Sequence, residues 1–165
     1  MLKIYALLVM ALLSFNAKAA PIELFNITVS PYANRCLEQP NGIDRCTESK
    51  TLTKETLQIP LDQCDNENAF GTRCSGTYKR EAFVDKHKFF FRIDISHFEN
   101  PQFKYQISIW VCRDSYNTCA RNTFYTQDEK LPAFWLSGPI LNKGKVGKDM
   151  LWYGSGMAIG EQPKF

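Results

Sequence analysis

The chain has 165 residues, with 20 Lys and Arg against 17 Asp and Glu for a formal charge of +3. So small an excess argues against the clustered cationic face that phosphate-backbone binding needs. The length suits one domain with a single hydrophobic core and would starve two.

The first nineteen residues read as a secretory signal peptide. Lys3 gives a basic start, Ile4 to Phe15 form an apolar run, and Ala17-Lys18-Ala19 place small residues at the cleavage positions. The apolar run is too short for the roughly 20 residues of a membrane span. Cleavage after Ala19 is expected, because a cut after Ala20 would leave Pro21 first. No cysteine stands at the cut to accept a lipid. Loss of Lys3 and Lys18, with no acidic residue, takes the charge from +3 to +1. The reading is therefore a signal peptide over 1–19 and a single β-rich domain over 20–165, secreted or periplasmic, with no membrane insertion.

Phe25, Ile27 and Val29 alternate as one face of a first strand, expected to end at Pro31. Leu57, Ile59 and Leu61 form another. The clearest pattern lies between 89 and 111, where Phe89, Phe91, Ile93 and Ile95, then Phe103, Tyr105, Ile107, Ile109 and Val111, alternate with mostly polar residues around Glu99-Asn100-Pro101. This predicts a hairpin with one buried face. A three-residue turn would make paired residue numbers sum to 200, setting Phe91 opposite Ile109 and Phe90 opposite Trp110. A short strand is expected around Asn122 to Thr126, an edge strand or packed loop at Leu131 to Leu136, a loop over 137–148, and a last strand carrying Leu151, Tyr153, Met157 and Ile159. The class is all-β, an antiparallel β-sandwich or small barrel of about six to eight strands.

Six cysteines, all beyond the signal segment, fit a disulfide framework in an oxidising compartment. Cys36/Cys46 and Cys64/Cys74 each enclose nine residues and Cys112/Cys119 six, all with turn-forming residues between them, so neighbour pairing is expected. Each such loop would restrict the unfolded chain by roughly 2.5 to 3 kcal/mol. Close cysteine pairs or histidines at ligand spacing are lacking, so no zinc site is expected.

Catalytic signals are weak. His87 and His97 lie at opposite ends of one expected strand, roughly 33 Å apart. Gly154-Ser155-Gly156 lacks the spacing of a nucleophile elbow, and Gly144 to Lys148 fails the Walker pattern and reads as a solvated basic turn. Asp62, Asp65, Asn66, Glu67 and Asn68 offer oxygen ligands of the kind calcium takes, but without EF-hand spacing. No cofactor and no metal are expected.

The outer face of the hairpin carries two large rings, Phe90 and Trp110, among polar residues. Either they form a contact platform, or another part of the chain, with 131–136 the candidate, covers them. The leading functional reading is a non-enzymatic, exported binding or inhibitory domain for a protein or glycan partner. Its contact residues would be Phe90, Trp110, Arg92 and Tyr116, the last in the Cys112–Cys119 loop. The alternatives are a secreted hydrolase using two of Asp85, Asp94, Glu99 and Asp114, and a structural subunit of an envelope assembly with an unpaired edge strand.

Overall fold

The computed structural model describes residues 22–48, 54–68, 71–128, 131 and 133–160, so the expected signal segment lies outside the described residues. Among the described residues the chain forms eleven strands and no helix. They are β1 (Glu23–Glu38), β2 (Asp44–Glu48), β3 (Glu55–Leu61), β4 (Gln63–Asn68), β5 (Gly71–Val84) and β6 (His87–Phe98), then β7 (Tyr105–Arg113), β8 (Ser115–Thr126), β9 (Phe134–Ser137), β10 (Leu141–Val146) and β11 (Asp149–Ile159). Two antiparallel sheets pack face to face, one in the order β4-β5-β6-β7-β8 and the other built on β1 and β11.

The core is anchored by the β6–β7 hairpin. Of the twelve largest fully buried side chains among the described residues, eight belong to it: Phe89, Phe91, Ile93, Ile95, Tyr105, Ile107, Ile109 and Val111. Burying each contributes about 1.5 to 3 kcal/mol, so strict period-two alternation fixes which face turns inward. The register, however, sums to 202 and not 200: Phe91 faces Val111, Ile93 faces Ile109 and Ile95 faces Ile107. The cause is a longer loop. Phe98 N–H donates to the Lys104 carbonyl at 2.9 Å, and Gln102 N–H donates to the Asn100 side chain at 2.8 Å. Phe103 folds back edge-on to Phe98 and Tyr125. A shift of two in the sum keeps every side chain on its face and changes only its partner.

In the second sheet β1 runs past Pro31 to Glu38, contrary to the expected stop. Pro31 falls between the stretch paired with β3 (Glu23–Val29) and the stretch paired with β2 (Asn34–Glu38), and a proline is tolerated where a ladder is interrupted. β11 pairs with β1 on one side and with β9 and β10 on the other. Residues 137–148 are therefore not all loop: β10 lies there, disguised by a bulge between Asn142 and Gly144 and closed by a tight turn with Gly147 at φ 65°.

The three disulfides are Cys36–Cys46, Cys64–Cys74 and Cys112–Cys119. Each joins residues directly opposite in an antiparallel pair, β1 with β2, β4 with β5, and β7 with β8. Three such bridges fit folding in an oxidising, extracellular or periplasmic environment.

Candidate functional site: the outer face of the five-stranded sheet

Cross-strand pairing organises the outer face of the five-stranded sheet into rows. Two adjacent rows of short polar side chains form a floor: Thr77, Asp94, Ser108 and Thr123 in one, and Ser75, Ser96 and Gln106 in the other. Longer side chains flank it. On one side Lys79, Arg92, Trp110 and Arg121 are paired in series, and on the other Arg73 lies opposite Phe98. Short rows between tall ones make a trough running across the strands, with a volume of about 260 Å³. Its walls are roughly 20 Å apart along β6, at about 3.3 Å per residue over the six residues from Arg92 to Phe98.

The trough holds three guanidinium groups, Arg73, Arg92 and Arg121, and one carboxylate, Asp94. Asp94 accepts from three donors: Arg92 Nε at 2.8 Å, Thr77 Oγ1 at 2.9 Å and the Trp110 indole N–H at 3.1 Å. Its charge thus holds the wall in shape. Arg121 lies over the Trp110 ring at 4.4 Å, and its Nη2 donates to Ser108 Oγ at 3.4 Å. Arg73 Nη2 donates to Ser96 Oγ at 2.8 Å, and its ring partner is Phe98 at 5.2 Å. Arg92 is ion-paired with Asp94 at 2.8 Å, and Arg73 stands directly opposite Asp65 of β4 in the ladder.

Of the residues expected to make contact, Trp110 and Arg92 stand directly opposite each other in this wall. Phe90 is displaced by the register and faces Cys112. It is only 8% exposed, under the Lys88 ammonium at 4.7 Å, which Glu81 holds at 2.7 Å. Phe90 supports the disulfide end of the face and offers a partner little surface. The Tyr116 side chain lies outside the described residues. The segment expected to cover the two rings does not reach them. Its strand, β9, pairs with β11 in the other sheet, and Phe134 packs edge-on to Phe124 at 4.4 Å. Trp110 is half-buried by its own sheet neighbours. The sequence reading missed Arg73 and Arg121, whose place in the wall depends on which strands pair with β6 and β7.

The other titratable groups gather at the two ends of the sandwich. At one end His97 pairs with Glu23, and Tyr105 O–H donates to the same carboxylate at 2.5 Å, with Lys104 at 3.5 Å. Burial works to raise the Glu23 pKa, but the Tyr105 hydrogen bond and the His97 and Lys104 charges outweigh it and hold the group below its ordinary value. At the other end Asp85 accepts from Tyr153 O–H at 2.5 Å and pairs with Arg35 at 3.4 Å, while Asp114 pairs with Arg113. Burial, then the Lys143 charge, pushes His87 down. At the sheet margin Tyr78 O–H donates to Glu55 at 2.6 Å, and burial followed by that carboxylate pushes its pKa up to about 12. The four carboxylates named for a hydrolase are thus divided: Asp94 in the trough, Glu99 in the β6–β7 loop, Asp85 and Asp114 at the far end. Among the described residues no cluster of His, Cys, Asp or Glu is arranged to hold a metal ion. The side chains of Asn66, Glu67 and Asn68 lie outside the described residues.

The outer face of the six-stranded sheet is built differently. Tyr32, opposite Gly156, lies across that glycine, where an added Cβ would come within 2.3 Å of its ring, and Trp152 covers Gly154 in the same way at 2.5 Å. Trp135 stacks on Tyr32 at 4.8 Å. The rings fill space that the glycines leave, so they complete the sheet surface.

Fold and site together define a disulfide-bridged β-sandwich with an arginine-walled trough on one outer face. No family model, curated protein or solved structure matches the chain.

Proposed function

We propose that the protein is an exported, non-enzymatic binding domain that holds its partner in the trough of the five-stranded sheet. The observation that carries this reading is the trough itself: three arginines bordering a floor of hydroxyls and amides whose one carboxylate, Asp94, accepts three hydrogen bonds. Arginine and tryptophan give more contact energy per residue than other types when a partner desolvates them. Here they stand on strands fixed by the core and by the Cys112–Cys119 bridge, so little freedom is lost on binding. The signal segment and the disulfides support export, to the periplasm or outside the cell.

The direct test is a blocking substitution. Gln106 is a half-buried floor residue on β7, and tryptophan suits an outward strand position. Gln106→Trp should abolish retention of the native partner on immobilised protein while the unfolding midpoint stays within the usual range of surface substitutions. Undiminished retention contradicts the trough as the site.

A second reading, a subunit of an envelope assembly, draws on β8, which pairs only with β7 along the described sheet and leaves a twelve-residue edge. That reading requires concentration-dependent self-association in light scattering. A monomer at all concentrations contradicts it.

A further inference from the structure

We propose that the partner of the trough is an acidic oligosaccharide, one whose sugar rings carry carboxylates. This rests on the outer-face reading above and adds the ligand's chemistry to it. Charge complementarity is the first argument. Three guanidinium groups face one carboxylate inside the trough, Asp94, which already accepts from Arg92, Thr77 and Trp110, and one at its margin, Asp65 opposite Arg73. An incoming anion therefore meets a cationic trough whose internal negative charge is engaged. Guanidinium groups match carboxylates as planar two-point donors, and Arg73 and Arg121 donate to the neutral hydroxyls of Ser96 and Ser108.

The floor supplies the second argument. Ser75, Thr77, Ser96 and Ser108 present hydroxyls and Gln63 and Gln106 amides, which can both donate to and accept from sugar hydroxyls. Among the described residues no aliphatic side chain lines the trough. A peptide partner would call for an apolar pocket to seat an anchor side chain, and the absence of one among the described lining residues favours the glycan. The rows run across four strands, roughly 14 Å at 4.8 Å per strand spacing, so the ligand is an extended segment of several rings lying across the strands.

Titration calorimetry of the oxidised protein tests this with four probes: hexagalacturonate, hexamannuronate, the methyl ester of hexagalacturonate and hexaglutamate. We expect at least one uronate hexamer to bind, its affinity to fall as salt rises, and the ester and hexaglutamate to bind at least about 10-fold more weakly, a difference of about 1.4 kcal/mol. The double variant Arg73→Gln/Arg121→Gln should lose the same factor with its unfolding midpoint unchanged. Equal binding of the ester overturns the acidic requirement and leaves the outer-face reading standing. Hexaglutamate binding as tightly as either uronate overturns the choice of a sugar. Binding of neither uronate overturns the proposal. Uronate binding that survives Gln106→Trp overturns the outer-face reading with it.

Discussion

The two outer faces of the sandwich obey the same alternation but use it in opposite ways. On the six-stranded sheet, large rings lie over glycines, Tyr32 on Gly156 and Trp152 on Gly154, and each bulky group fills a gap made by a missing side chain. On the five-stranded sheet the tall residues, Arg92, Trp110 and Arg121, stand beside rows of serine and threonine and leave the space above them open. Exposed aromatic rings alone therefore do not mark a site. A gap that the chain leaves unfilled, bordered by charge it does not neutralise, is the stronger sign.

Substitutions can break this contrast in order of expected effect. The largest concerns Gly76, beneath the trough, where an added Cβ would lie 2.2 Å from the Pro60 carbonyl oxygen on the inner side. That neighbour is backbone and cannot swing away, so Gly76→Ala should cost about 3 kcal/mol in chemical denaturation. Gly156→Ala should cost about 1 to 2 kcal/mol, because the Tyr32 ring it meets can shift. It should leave binding to the trough intact. Trp110→Ala should do both things moderately. Loss of a half-buried ring that donates to Asp94 and carries Arg121 should lower stability by about 1 to 2 kcal/mol and weaken ligand binding by at least about 10-fold. A loss of stability with unchanged affinity would place Trp110 with Tyr32, as filler.

The smallest effects are in pH. Burial and Lys143, with Lys86 adding and Asp114 and Asp85 opposing, hold His87 below its ordinary 6.5. The unfolded chain then takes up the proton first, and stability falls as pH drops below about 6.5. Glu23, held below its ordinary 4.5, contributes stability that is present above 4.5 and lost as pH falls through its lower folded value. His87→Gln should flatten the first limb of a denaturation profile and Glu23→Gln the second. Unchanged limbs would contradict these assignments.

Much of the architecture is legible in the residues. Alternation from Phe89 to Val111 identifies the central hairpin and its buried face, and cysteine spacing identifies all three bridges. The exact partners were not legible, because a loop of five residues, 99–103, and not three, sets the sum, and that length depends on Phe98 bonding to Lys104. β5 was hidden since Gly76, Tyr78 and Arg80 occupy its inward parity, with Arg80 held at the margin by Glu55 at 2.5 Å. Without β5 and the full length of β8, Arg73 and Arg121 could not be joined to Arg92 and Trp110. Half the wall was visible, and the trough was not.

The most direct test uses the indole N–H resonances of Trp110, Trp135 and Trp152 during titration with hexagalacturonate or hexamannuronate. Trp110 reports from the trough, while Trp135 and Trp152 report from the opposite face, where their N–H groups donate to Ser137 and Asp44. The Trp110 signal should move and the other two should stay. Movement of Trp135 or Trp152 with Trp110 stationary would contradict binding in the trough.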